Sequence, residues 1–332
     1  MVAAVVAALI IPATAQAAPL AVEDLGTLPG DLRSSAADIN DSGTVAGVSY
    51  GTGTAQHAVR WDRWDGIQKL ADLGFDSWAA AINRDNVVVG YAVNSAGQAQ
   101  AVKWLSSGSL VQLTVAGATS SVAYDVNDSG TVVGTATING VSQAVLWESW
   151  GDVTILGAGS AHHVANGDTV IGKSGGDVVR WSPSGVRTVL DTGEFYGANQ
   201  LGEATGTVGG NGVLWLRNSK TQLGAGARPF DINDNGYAVG DLSSQATRWD
   251  VFTGAVETLA PAPSRASEVN NSGVVAGTVG TSAATWNTGG TQTLLPPLSG
   301  AARHSVTGLS EVGLVIGVAT FSDGTYRAVV WR

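Results

Sequence analysis

Apolar positions in this chain come in short runs rather than long periodic stretches. Thr131-Val132-Val133-Gly134 and Ala144-Val145-Leu146-Trp147 are two of them, set apart by polar residues and glycine. Short runs rich in β-branched residues and bounded by Asn, Asp, Ser and Gly predict strands joined by tight turns. The pattern repeats. Ala123-Tyr124-Asp125-Val126-Asn127-Asp128-Ser129-Gly130 opens one copy, Ala37-Asp38-Ile39-Asn40-Asp41-Ser42-Gly43 another, and Asp231-Ile232-Asn233-Asp234-Asn235-Gly236 a third. Weaker copies surround Gly90, Gly172, Gly206, Gly277 and Gly317.

A Trp closes each copy, at positions 61, 104, 147, 181, 215, 249, 286 and 331, so the interval runs from 34 to 45 residues. Each copy reads as four strands. The first ends at Asp-Ile-Asn or its equivalent, and Asn-Asp-Ser-Gly turns the chain into an apolar Thr-Val-Val-Gly strand. The third strand is Ala-Val-x-Trp, and a W-x-x-x-G turn such as Trp181 to Gly185 leads to the fourth. Eight copies at this spacing predict an all-β, eight-bladed β-propeller over residues 20–332, with four-stranded antiparallel blades. The phase of the chain adds a test. Val22 to Leu28 reads as a fourth strand with no first three, and Ala328 to Trp331 as a third strand with no fourth. The N-terminal strand is therefore expected to complete the last blade and close the ring.

Composition agrees with that architecture and narrows the partners. Hydrophobic residues are 44% and charged residues 13%, which suits a large core and excludes disorder. Net charge is −10 and Lys and Arg are scattered, so a nucleic-acid surface is excluded. Cysteine is absent, which removes disulfides and thiolate metal sites from consideration. Met1 to Ile11 is an apolar run followed by Ala15-Gln16-Ala17, an A-x-A cleavage site. Residues 1–17, or 1–18, are thus expected to be a signal peptide, and the mature chain an extracellular monomer without a membrane span.

At these residues the chain resembles the bacterial extracellular HAF-repeat family, named for a His-Ala-Phe signature before the repeat Trp. Gln56-His57-Ala58-Val59-Arg60-Trp61 is the nearest copy, with Val for Phe, and Leu25-Gly26-Thr27-Leu28-Pro29-Gly30 matches a second family element. The resemblance spans the mature chain and implies an exported propeller without an assigned activity. Most copies here lack the His and the Phe.

Candidate chemistry is sparse. Asp38, Asn40 and Ser42 have the spacing of calcium-loop oxygens, but the ninth loop position holds Ala46, and Val133 or Val239 in the sister copies. These segments read instead as hairpin turns held by Asx hydrogen bonds. The eight repeat Trp residues read as packing between blades. Trp64, Trp150 and Phe252 follow a repeat Trp by three residues; such turn aromatics either cap the outer sheet, the favoured reading, or present a flat ring for stacking on a sugar face. His162 and His163, adjacent on a strand, are expected on opposite sheet faces, a poor metal geometry. No H-E-x-x-H motif is present. No cofactor, metal or catalytic residue is assigned.

The least repeat-like residues precede the innermost strands. Arg33, Asp76, Trp78, His162, His163, Glu194, Tyr196, Arg228, Arg265 and His304 form the candidate ligand-binding set, with Asp31 and Arg303 nearby. Loops on a rigid scaffold commonly carry function, and this mixture suits a polar ligand such as a glycan or peptide. The alternative is a polysaccharide lyase or glycoside hydrolase with acid/base groups such as Glu194, His163 or Asp76 at the axial funnel.

Overall fold

The computed structural model describes residues 20–332; the expected signal peptide lies outside them. Every regular element among the described residues is a strand, and the strands form eight four-stranded sheets. Blade 1 contains Arg33–Ile39, Val45–Tyr50, Gln56–Asp62 and Gly66–Lys69, paired antiparallel in chain order. The next six blades repeat this plan. Blade 8 takes its first three strands, Ala301–Leu309, Val315–Phe321 and Tyr326–Trp331, from the end of the chain. Its fourth is Val22–Asp24, with Val22 opposite Trp331 and Asp24 opposite Val329. The ring closes as its phase predicts.

Each interface between blades is built from the apolar runs. Ala81, Val89 and Ala101 of blade 2 pack with Val126, Val132, Val145 and Trp147 of blade 3. Val133, Leu146 and Leu156 of blade 3 meet Val164, Val170 and Trp181 of blade 4 in the same way. All eight repeat Trp side chains are buried, none more than 2% exposed. Removing about 150–250 Å² of each from water stabilises the ring by at most roughly 4–6 kcal/mol per Trp. Four of the indoles also donate to a carbonyl of the preceding blade, as Trp104 does to Ala71 O at 2.6 Å and Trp286 to Leu259 O at 3.0 Å.

The glycine in each second strand has a steric cause. A Cβ added to Gly134 would lie 2.0 Å from Val122 O, and the equivalents at Gly47, Gly90, Gly172, Gly206, Gly240, Gly277 and Gly317 would meet the same clash. The close approach accompanies a β-bulge in every first strand. Register shifts between Ala36 and Asp38, Ala123 and Asp125, Ala161 and His163, and Ala266 and Glu268 are four of the eight. A bulge bends its strand and re-aims its side chains. Here it turns two successive residues of each blade toward the ring axis.

One expectation about packing fails. Trp64, Trp150 and Phe252 are 85%, 72% and 80% exposed, so they do not cap a sheet. They stand in turns between third and fourth strands, where no neighbouring blade reaches over them.

Candidate functional site: the linker face and the axial cavity

The first-to-second-strand turns gather at one end of the axis, here termed the turn face. In six of the eight a buried Asn works in two directions, with Ala165 and Ser310 in its place in blades 4 and 8. Asn127 Oδ1 accepts from Thr131 N at 2.9 Å and from Ser129 Oγ at 2.7 Å, while its Nδ2 donates to Ala165 O of the next blade at 3.0 Å. Asn40, Asn83, Asn199, Asn233 and Asn270 donate forward likewise. The following residue forms a second ring. Backbone N–H groups of Asp128, Asn166, Gln200, Asp234, Asn271 and Glu311 donate to side-chain oxygens of Asn166, Gln200, Asp234, Asn271, Glu311 and Asp41. Asp38 is committed too: its carboxylate accepts from Ile39 N and, across the blade joint, from Ile82 N, both at 2.8 Å. The calcium-like spacing is therefore a blade-joining device.

The two bulge positions line an axial cavity of about 320 Å³. One position carries Asp38, Ala81, Asp125, His163, Gly197, Asp231, Glu268 and Gly308 round the ring. The other contributes Tyr124, His162, Tyr196 and Phe230 among smaller residues. Both His162 and His163 line this cavity, against the expectation of opposite faces, because the bulge between Ala161 and His163 breaks the strand's alternation.

His163 and Asp125 form a charged pair. His163 Nδ1 lies 3.0 Å from Asp125 Oδ2, and its Nε2 lies 3.1 Å from Asn199 O. Both partners are acceptors, so both ring nitrogens carry protons and the ring is an imidazolium. Burial works against that charge, but the Asp125 carboxylate and the Asn199 carbonyl outweigh it and raise the His163 pKa. Burial likewise pushes Asp125 up, and the hydrogen bond and charge of His163 bring it below its usual value. The other axial acids behave oppositely. Burial raises Asp38 to about 7 and Asp231 to about 6. Glu268 is raised well above the ordinary carboxyl range by burial and then by Asp231 and Asp38. His162 accepts or donates at 2.7 Å to Ser160 Oγ and stacks on Tyr124 at 5.0 Å; burial lowers its pKa.

The opposite end of the axis is the linker face, where the chain enters each first strand. A cleft of about 750 Å³ opens there across blades 5 to 8, lined by Tyr196, Phe230, Arg265, Ser267, Glu268, Thr281 and Arg303 among others. Tyr196, Phe230 and Glu268 line both this cleft and the axial cavity. The Arg265 guanidinium lies 3.6 Å from the Phe230 ring centre, and Tyr196 stands 5.6 Å from the same ring.

The predicted binding residues divide into groups. His162, His163 and Tyr196 meet in the axial cavity, and Tyr196, Arg265 and His304 border the cleft. His304 is only 6% exposed and its Nε2 accepts from Leu298 N at 3.0 Å. It occupies the position where blades 1, 2, 3 and 7 place Ser34, Ser77, Ser121 and Ser264, which accept a backbone N–H of the preceding blade. Arg228 is held by Asp241 through two hydrogen bonds of 3.0 and 2.9 Å. Glu194 faces Lys173 at 3.5 Å, away from the axis. Arg33 and Trp78 belong to a separate cluster with Tyr50 and Tyr326, and Asp76 accepts from Gln56 N at 3.2 Å. The sequence reading missed Glu268, Asp125, Asp231 and Phe230. Its available signal was alignment: Glu268 and His163 occupy the repeat position of Asp38, one before the apolar residue of the Asp-Ile-Asn motif.

Neither a family model nor a curated protein matches this sequence. Solved structures do resemble the fold. A streptogramin B lyase aligns with a TM-score of 0.56 at 9% identity, covering 94% of this chain and 97% of that one. Virginiamycin B lyase from Staphylococcus aureus aligns at 0.51 and 10% identity over 94% and 98% of the two chains. A puromycin hydrolase S511A mutant complexed with PGG aligns at 0.53 and 12% identity, over 90% of this chain and 51% of that one. At these identities the likeness establishes a propeller and nothing of its chemistry.

Proposed function

We propose that this chain is an exported, monomeric binding propeller of the HAF-repeat type that takes a polar ligand, a glycan or a peptide, on its linker face. One observation carries the reading. The turn face spends its polar groups on the next blade, whereas the linker-face cleft gathers non-repeating side chains that include two guanidinium groups without a partner. The guanidinium groups of Arg265 and Arg303 neither donate a hydrogen bond nor form an ion pair among the described residues. A volume of about 750 Å³ lies within the roughly 300–1,000 Å³ of ordinary ligand sites. The test is a glycan and peptide array probed with the mature chain, followed by Arg265→Ala and Tyr196→Ala. Loss of binding with unchanged thermal stability supports the cleft; retention in both variants removes it.

A second reading, a polysaccharide-active enzyme, draws on Glu268 specifically. This carboxyl borders both the cleft and the axial cavity and accepts no hydrogen bond among the described residues, and burial with the neighbouring Asp231 and Asp38 raises its pKa. Those are the properties of a general acid. Incubation with neutral and acidic polysaccharides separates the readings. Oligosaccharide release abolished by Glu268→Gln supports the enzyme, and retention without cleavage supports the binder.

A further inference from the structure

We infer that the linker-face cleft is a site for a carboxylate-bearing sugar, a uronic-acid residue within an oligosaccharide. This deepens the binding reading above and rests on it.

Arg265 supplies the first part of the case. Its guanidinium carbon sits over the Phe230 ring, 3.6 Å from the ring centre, a cation–π contact that restrains the group. A guanidinium held over a ring keeps its N–H fork for a ligand, and that fork matches a planar carboxylate with two parallel hydrogen bonds. The nearby carboxylate of Asp241 does not occupy it, because Arg228 binds both of that group's oxygens. Glu268 forms no ion pair with it among the described residues, and burial beside Asp231 and Asp38 disfavours that carboxyl's charged form. Arg303 brings a second uncompensated cation to the same cleft. Acids outnumber bases by 27 to 17 in this chain, so two unpaired arginines bordering one hollow run against the prevailing charge.

The remaining wall suits a sugar. Ser267, Thr281 and Ser305 place hydroxyl groups round the cleft, and Tyr196, 39% exposed, offers part of an aromatic ring. The raised Glu268 pKa favours a carboxyl that donates to a ring or hydroxyl oxygen, which an ionised carboxylate cannot do. A peptide would be held differently. Peptide main chains are commonly captured by pairing with an open strand edge. The open edges here belong to the first strands at the axis, whereas Arg265 and Arg303 reach the cleft with side-chain cations that a sugar carboxylate matches.

The experiment is calorimetric titration of the mature chain with short oligomers of galacturonate, mannuronate and glucuronate. Their methyl esters and a glutamate oligopeptide of equal charge are titrated beside them. At least one uronate oligomer is expected to bind, its ester at least tenfold more weakly, and affinity should fall as salt rises. Arg265→Gln and Arg303→Gln should each weaken binding tenfold or more with an unchanged melting temperature. Arg84→Gln, on the turn face, should leave it unaltered. Equal affinity for acid and ester overturns the inference, and so does exclusive binding of the peptide. In both of those outcomes, sensitivity to Tyr196→Ala would leave the broader reading of the cleft intact. No binding by any uronate also overturns the inference, and the wider array then decides the broader reading separately.

Discussion

Removing the N-terminal closing strand tests the architecture at its joint. The perturbation is a chain beginning at residue 29, compared with one beginning at residue 20. The shorter chain loses the Val22–Asp24 strand and the flanking bonds between Ala21 N and Arg332 O, Arg332 N and Ala21 O, and Leu25 N and Ala328 O. It also loses the Leu28 N–H bond to Ser49 Oγ and three half-buried side chains, Val22, Leu25 and Leu28. At about 1 kcal/mol for each net hydrogen bond and each half-buried aliphatic group, the segment contributes on the order of 7 kcal/mol. That is comparable with the roughly 5–15 kcal/mol of a whole domain. Val329, Val330 and Trp331, fully buried in the intact ring, would then line an open edge suited to aggregation. Urea denaturation, hydrogen exchange at residues 326–331 and size-exclusion chromatography report on this together. The midpoint should fall steeply, exchange should rise first in blade 8, and oligomers should appear. Moving residues 20–28 to follow Arg332 through a short linker should restore stability, since the same strand returns as an ordinary fourth strand. An unchanged midpoint in the shorter chain would refute the closure argument.

Other outcomes follow from individual contacts. Gly134→Ala should destabilise by about 2 kcal/mol or more, because its Cβ meets Val122 O at 2.0 Å and the backbone must shift; thermal unfolding measures this. Asn127→Ala should cost roughly 1–3 kcal/mol by leaving the Thr131 N–H without a partner in a buried turn and removing the bond to the Ala165 carbonyl of the next blade; urea denaturation measures this. Trp64→Ser, at a side chain 85% exposed, should change stability by less than about 0.5 kcal/mol. Stability should also depend on pH with a definite sign. Asp38 and Asp231, raised to about 7 and about 6, stabilise fully below the ordinary carboxyl pKa and lose that contribution as pH rises through those values. The raised His163 acts in the same direction, while the lowered Asp125 contributes above its unfolded pKa and loses its share as pH falls. The melting temperature should therefore be higher at pH 5 than at pH 8, and a flat profile would sink the account.

The fold was legible because its signals repeat. Trp at eight positions and a chain that starts on a fourth strand carry blade number and closure without any tertiary information. The axial chemistry was hidden by the bulge. Alternation along a regular strand separates His162 from His163, and only an inserted residue at Ala161–His163 turns both inward. His304 misled for a related reason. It breaks the residue type of the repeat yet still accepts a backbone N–H, from Leu298 in the linker rather than from a third strand of the preceding blade as the Ser residues do. Exposure of Trp64, Trp150 and Phe252 was not legible, because it depends on what lies beyond the turn rather than on the turn itself.

Two kinds of departure from the repeat now have different causes. At the axis, identical copies would bring eight carboxylates together, and like charges in a confined space disfavour one another's ionisation. The ring instead places acids in blades 1, 3, 6 and 7, an imidazolium in blade 4, and Ala or Gly in blades 2, 5 and 8. Irregularity there relieves a repulsion that the symmetry itself creates, so it calls for no ligand. The linker-face cleft offers no such explanation. Arg303 is unpaired there, and Arg265 lies over Phe230 without a hydrogen-bond acceptor. Two such cations at one hollow are the irregularity that the proposed ligand would account for.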